Sequence, residues 1–349
     1  MRSQRKTSRI FPVSRDITLV RDQLNRPLRD LRLSLTDRCN FRCRYCMPVE
    51  VFGPGYQFLP REQILTFREL VEIVRAGVEL GVKKVRLTGG EPLLRRGVED
   101  LVAMIASVPG VDDLAMTTNG ILLNHHASGL AAAGLNRVTV SLDALDEEIF
   151  SKMNGVGARI DRVLLGIESA LQNGLPVKIN MVVQRGVNEG EILPMVRWCR
   201  ERKITLRFIE YMDVGESNGW NLAEVVSAEE IVEMIRSEFP AWPAKASYPG
   251  EVAKRWEFQD GSGEFGVISS VTKPFCGDCS RLRISAEGKA FTCLFAAEGA
   301  DVRAVLRGEV EGVGVGEFFQ GLWGRREDRY SEERGLVEKK KAEMSYLGG

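Results

Sequence analysis

Two groups of three cysteines dominate the chemistry this chain could do. Cys39, Cys43 and Cys46 lie in "TDRCNFRCRYC", a C-x3-C-x2-C spacing. Cys276, Cys279 and Cys293 lie in "CGDCSRLRISAEGKAFTC", a C-x2-C-x13-C spacing. Neither group has a fourth cysteine nearby, and the two histidines, His125 and His126, are far along the chain from both. A structural zinc site closes with four ligands, so zinc would need an acid or water from outside. A [4Fe–4S] cube also takes four ligands, usually all cysteine. Three thiolates would hold three of its irons and leave one open to a substrate. The same two options, zinc completed from outside or a cluster with an open iron, stand for the second triad.

The elements that must position these residues are readable from periodicity. Strand-like runs occur at 31–36, 84–89, 114–119, 137–143, 177–183 and 204–210. Helical patterns lie between them, such as "TFRELVEIVRAGVELG" and "RIDRVLLGIESALQNG", each ending in the glycine expected just past a helix. Strand alternating with helix six times predicts parallel βα units. The expected fold is an α/β, incomplete (β/α)6 TIM-type barrel over residues 30–240. After Ala241 the pattern weakens, and 241–349 reads as a smaller irregular C-terminal domain holding the second triad. Residues 1–29 read as an N-terminal extension, basic at first and more like a solvated tail than a transit peptide.

The first triad falls in the first βα loop, at the end of a barrel where catalysis is found. "TGGEP" at 88–92 follows the second strand, where paired glycines let backbone approach a ligand closely. Arg32, Arg86, Lys178 and Arg207 place cations inside four strands, costly if buried and unpaired. Thr117, Ser141 and Met212 lie in or just after strands as well. All are expected to converge on the barrel mouth, and four cations there suit a polyanion such as triphosphate. Arg281 and Arg283, two apart between second-triad ligands, suit an anionic or electron-rich ligand.

Other classes are disfavoured. The 349 residues carry 48 basic and 48 acidic side chains, without the basic excess of a general nucleic-acid binder. No apolar run is long enough for a membrane span, and no apolar leader suggests export, so a cytoplasmic location is expected. The odd count of seven cysteines argues against a disulfide framework. Cys199 reads as a lone core or surface thiol in a helix. No G-x-x-x-x-G-K-[ST] occurs, and "GVGVG" at 312–316 lacks a preceding strand, so it reads as a turn.

C-x3-C-x2-C with Tyr45 before its last cysteine, followed by the G-G-E of "TGGEP", resembles the signature of radical S-adenosylmethionine (SAM) enzymes. "LRLSLTDRCNFRCRYCMP", "RLTGGEPLLRR", "TTNG", "RFIEYMDVG", "CGDCSRLR" and the final "GG" together narrow the resemblance to the GTP 3′,8-cyclases of molybdenum cofactor biosynthesis. The resemblance runs from about Leu31 to Gly349. It implies two [4Fe–4S] clusters, held by Cys39, Cys43 and Cys46 and by Cys276, Cys279 and Cys293. It implies SAM contacts from Tyr45, Gly90, Ser141 and Met212. It implies GTP contacts from Arg32, Arg86, Thr117, Lys178 and Arg207, with Arg281 and Arg283 between base and ribose. It implies a tail, Gly348 and Gly349, that reaches the active site. The implied reaction is removal of hydrogen from ribose C3′ of GTP and attack on guanine C8. An electron donor, a homodimer and a downstream cyclic pyranopterin monophosphate synthase are implied partners. A radical SAM enzyme modifying a peptide is the alternative, though it would leave the strand-borne cations without a purpose. A non-enzymatic zinc-binding scaffold is a third reading.

Overall fold

The computed structural model describes residues 19–248, 250–334 and 340–348. Six parallel strands form its centre: β1 (Asp30–Ser34), β2 (Lys84–Thr88), β3 (Asp113–Thr118), β4 (Arg137–Ser141), β5 (Val177–Val183) and β6 (Thr205–Glu210). Helices α1 (Phe67–Glu79), α2 (Val98–Ala106), α3 (Leu123–Ala132), α4 (Glu147–Asn154), α5 (Ile160–Gln172), α6 (Ile192–Glu201) and α7 (Ala228–Glu238) cover the sheet. Helix α1 shows why such segments form. Thr66 and Glu69 close a capping box at its start, and Leu70, Val71, Ile73, Val74 and Val78 bury one face. Gly81 follows its end with φ +109°, a conformation an L side chain resists.

The six-strand barrel expected from the sequence is present, and the C-terminal region extends its sheet at both ends. Four strands follow α7: β7 (Ala241–Pro243), β8 (Lys254–Phe258), β9 (Glu264–Ile268) and β10 (Arg281–Ile284). Two more, β11 (Lys289–Phe291) and β12 (Ala300–Asp301), complete the set. The order is β12-β11-β10-β1-β2-β3-β4-β5-β6-β9-β8-β7. Strand β9 pairs parallel with β6, and β10 pairs parallel with β1. Residues near the end of the chain therefore sit beside its first strand.

Strand β5 shows how the layers divide. Val177, Ile179, Met181 and Val183 are buried, whereas Lys178, Asn180 and Val182 between them are only half-buried. Parallel strands are usually apolar on both faces. Here the inner face carries polar and charged groups because the barrel encloses a cavity of about 520 Å³. Cys199 is buried in α6 against the core, an inert position. The "GVGVG" run spans a turn and then the N-terminus of a helix at Val315–Gly324.

Candidate active site

The β1–β10 pairing sets the site's axis. The first triad follows the C-terminal end of β1, and Cys276 and Cys279 precede the N-terminal start of β10. Because these strands run parallel, the two triads lie at opposite ends of the lumen. Cys293 returns to the second triad through the β10–β11 hairpin, whose register pairs Arg283 with Phe291. Two residues further along that register brings Cys293 level with Arg281. The long third gap in the cysteine spacing is the hairpin's path out and back. All six cysteines line the one cavity.

Between the triads the register stacks two rows of side chains. One row, nearer the second triad, reads Arg281, Asp30, Lys84, Asp113 across β10, β1, β2 and β3. It alternates in sign. Lys84 Nζ lies 3.9 Å from Asp30 and 3.7 Å from Asp113. The next row, two residues further along each strand, reads Arg283, Arg32, Arg86, Ala115, so that its charged members are the three arginines. It carries no acid. Arg32 Nε, Arg86 Nε and two nitrogens of Arg283 are buried with no hydrogen-bond partner among the described residues. Arg86 Nη1 donates to Thr117 Oγ1 at 2.9 Å. Burial pulls the Arg32 and Arg283 guanidiniums below their ordinary range, opposed by Asp30 at Arg32 and deepened by Arg32 at Arg283. Arg32 has only Asp30, 4.0 Å from its Nε, as counter-charge, so an anionic ligand would supply partners that these arginines lack.

Lys178 and Arg207 extend the positive wall on β5 and β6. Arg207 lines the cavity, whereas Lys178 does not. Burial lowers Lys178 to about 8, and Arg207 and Arg137 push it the same way. Lys84, which the sequence did not single out, is also lowered to about 8 by burial. The cations do not gather at the mouth as expected. Arg32, Arg86 and Arg207 are each the third residue of their strands, and Lys178 is the second. Arg32, Arg86 and Arg207 therefore sit inside the lumen, below the rim that carries the first triad, and Lys178 lies one position nearer the start of its strand, outside the cavity lining.

At that rim the loop after β2 clamps the first cysteine loop. Gly90 N donates to Thr36 O at 2.7 Å, and Glu91 N donates to Arg38 O at 2.8 Å. A Cβ on Gly90 would come within 2.2 Å of Arg38 O, so only glycine fits this approach. Glu91 is buried and accepts from Leu93 N, Asn119 N and the Thr118 hydroxyl. Burial raises its carboxyl to about 7 against those hydrogen bonds. The Tyr45 hydroxyl donates to Asp143 at 2.7 Å, and Asp143 also accepts from Val182 N. Glu91, Asp143 and Asn119 line the cavity with Gly90, Tyr45, Ser141 and Met212. Sequence reading missed all three, although Glu91 lies within the G-G-E motif itself.

Cys279 stands apart electrostatically from the first triad and from Cys293, which burial raises to about 11. Burial raises the Cys43 and Cys46 thiols, and raises Cys39 to about 11 with help from Glu91. Such thiols become thiolates when a metal supplies the charge. Burial also pushes Cys279 up, but Arg281, Arg326 and Arg283 overcome it and leave that thiol at about 6. Arg281 Nη2 lies 3.2 Å from Cys279 Sγ. Among the described residues the sulfurs do not close on one point as ligands of a single ion would. Each triad offers soft sulfur donors short of four, a set suited to an iron–sulfur cluster with one position left open.

The tail reaches the rim. Gly348, at φ +68°, is packed so that a Cβ would lie 2.2 Å from Thr88 Oγ1 and 3.2 Å from Ser34 Cβ. Ser34 and Thr88 are register partners, two residues beyond the Arg32–Arg86 pair, a rise of about 7 Å. The tail is tied down by Lys341 Nζ on Asp213 at 2.9 Å and by the Glu343 carboxylate, which accepts from the Ser217 hydroxyl at 2.8 Å. Gly349 lies outside the described residues.

Comparison with known proteins fits this arrangement. Residues 33–199 match the family model of the radical SAM superfamily, and residues 204–332 match that of Molybdenum Cofactor Synthesis C. A GTP 3′,8-cyclase of Acidothermus cellulolyticus is 49% identical, over 95% of this chain and 99% of that protein. One from Staphylococcus haemolyticus is 45% identical, over 95% and 100%. Among solved structures, Streptococcus suis SuiB bound to S-adenosylmethionine superposes with TM-score 0.58 at 17% identity. That match covers 77% of this chain and 61% of SuiB, and shows a shared fold.

Proposed function

The chain belongs to the GTP 3′,8-cyclase family of radical SAM proteins, and from that membership we infer that it converts GTP to 3′,8-cyclo-7,8-dihydro-GTP, the first step of molybdenum cofactor biosynthesis. When bound, SAM and the cluster on Cys39, Cys43 and Cys46 supply the 5′-deoxyadenosyl radical that abstracts the ribose C3′ hydrogen. The second triad would hold the auxiliary cluster. The chain's own residues bind, orient and shield, since the cofactor carries the hard chemistry.

The observation that supports the site assignment most is the run of three arginines, Arg283, Arg32 and Arg86, on adjacent strands between the two triads. GTP would lie along the lumen, its base toward the auxiliary cluster and its ribose toward the SAM end. Arg32, Arg86, Lys84, Lys178 and Arg207 would meet the triphosphate, and Thr117 would help hold Arg86. Arg281 and Arg283 would direct donors at the base and at electron density developing during ring closure. Tyr45, Gly90, Ser141 and Met212 would line the SAM site, with Gly90 giving backbone access no larger residue would allow. Gly348 and Gly349 would close the rim above the ribose and keep water from the radical.

The electron donor, a homodimeric state and passage of product to a cyclic pyranopterin monophosphate synthase belong to the same proposal. Among the described residues no helix is long and apolar enough to cross a membrane.

The test is an anaerobic reaction with reconstituted protein, SAM, a strong reductant and GTP deuterated at C3′. Deuterated 5′-deoxyadenosine with a cyclised product establishes the reaction and the abstracted atom. Unlabelled deoxyadenosine with GTP untouched would reject GTP as substrate and favour a peptide.

A further inference from the structure

The segment leading into β1 carries no cysteine, yet it holds a buried charge network against the second triad. Asp22, Arg26 and Arg326 are all nearly without exposure. The Asp22 carboxylate accepts from Arg26 Nε at 2.5 Å and from Arg326 Nη1 at 3.2 Å. It also accepts from the backbone N–H groups of Leu24 and Arg26. One donor of each arginine reaches the cysteine loop, while Arg326 Nε pairs with Asp328 Oδ2 at 3.3 Å and Arg26 Nη2 has no partner among the described residues. Arg26 Nη1 donates to Cys276 O at 2.7 Å and to Asp328 O at 2.8 Å. Arg326 Nη1 donates to Cys279 O at 2.7 Å. Trp323 backs the network, with its ring 4.5 Å from the Arg326 guanidinium and its Nε1 donating to Arg26 O.

We propose that the Arg26–Asp22–Arg326 triad is the positioning device of the auxiliary cluster, fixing two ligand carbonyls so that the Cys276 and Cys279 thiolates point into the lumen. This rests on the reading that the second triad holds a cluster. Buried ion networks seldom repay their desolvation, and an apolar plug of the same volume is often as stable. Fixing position is a use such a network can serve, and here one donor from each arginine goes to the ligand loop. That loop cannot hold itself. It is a single turn, Cys276–Asp278, with no buried side chain and no side-chain cap. Its own backbone bonds, Asp278 N to Phe275 O and Cys279 N to Cys276 O, are long at 3.3 Å. The first cysteine loop is held in the same way, by Arg42 Nη1 donating to Cys39 O at 2.8 Å. Outer partners of metal ligands typically change metal affinity about 10–100-fold when removed.

The test compares Arg26→Gln and Arg326→Gln in the full chain with the parent and with Cys276→Ser. Each glutamine variant leaves Asp22 paired with the other arginine. The proposal predicts that iron and sulfide fall by about half after anaerobic reconstitution. The GTP-dependent change in the cluster's paramagnetic resonance spectrum is lost with them, while deoxyadenosine still forms. Arg26→Lys, which keeps the charge, should recover part of the iron. Hydrogen exchange on the metal-free protein supplies a readout independent of activity. Amides at 276–279 should exchange about tenfold faster while β1–β6 stay protected. Parent-like iron, spectrum and exchange in both glutamine variants would overturn the proposal. So would an equal loss of protection across the sheet, which marks a plain folding role. If Cys276→Ser keeps full iron, the reading of a second cluster fails instead.

Discussion

Arg32 and Arg283 stand opposite each other on paired parallel strands, one near the start of the chain and one near its end. Neither guanidinium finds a full set of partners among the described residues. The site is thus built to be incomplete until an anion enters.

Replacing Arg283 by methionine separates stability from function. In the ligand-free protein this buried group is poorly paired, so its removal should raise stability by roughly 1–3 kcal/mol in denaturant titration. Cyclised product should fall at least about 100-fold. Deoxyadenosine should continue to form, now uncoupled from GTP.

Lys84 and Lys178 predict opposite pH trends for stability and for GTP binding. Both are lowered from 10.5 to about 8 by burial. Between pH 8 and 10.5 the unfolded chain binds more protons at these sites, so their contribution to ligand-free stability rises with pH. If these lysines meet the triphosphate as proposed, GTP binding requires them charged, and affinity should weaken through the same window. Thermal unfolding and calorimetric titration from pH 7 to 10 check both signs. Affinity that holds steady across that window would remove these lysines from the phosphate site.

Gly348→Ala and deletion of Gly348–Gly349 test the tail. The added Cβ meets Thr88 Oγ1 in a left-handed conformation, so alanine must displace the tail. Misplacement of about 1 Å near a reacting centre can lower rate about 100-fold. Iron content and thermal unfolding should remain those of the parent. Full cyclisation by the truncated chain would refute the tail's role.

Gly90→Ala acts at the other end. Its Cβ would strike Arg38 O, forcing the first cysteine loop off its clamp. We expect loss of SAM cleavage and of about half the iron, with the auxiliary cluster retained. Spectra of the two clusters, recorded separately, check this.

The six central strands were legible because short apolar runs alternate with amphipathic helical patterns, two of them closed by a glycine, Gly81 and Gly174. Val177–Val183 coincides with the observed strand, and the others differ by one or two residues at one end or both. The cysteines and strand-borne arginines were legible as residue types. Their depth was not, because the lumen level of Arg32 depends on register with β10, and no local pattern encodes that pairing. Lys84, Asp30 and Asp113 were passed over because an alternating row of charges reads as ordinary surface until the strands are aligned. Asp22 and Arg26 lay in a stretch that looked like an appendage, and its link to the second triad appears only in three dimensions, where Arg26 reaches Cys276 O and Asp22 pairs with the arginine that reaches Cys279 O.

The pairing of β1 with β10 also bears on the order of assembly. During synthesis β1, β2 and the first cysteine loop emerge long before Arg281–Ile284 exists. Until then one side of β1 is a bare edge with open backbone donors and acceptors, the kind of edge that recruits foreign strands. Contacts this distant in sequence close slowly. The half that generates the radical can therefore form first, while the half that restrains the substrate arrives last. A nascent chain stalled between the two would present a sticky edge, making this seam the vulnerable moment in the protein's biogenesis.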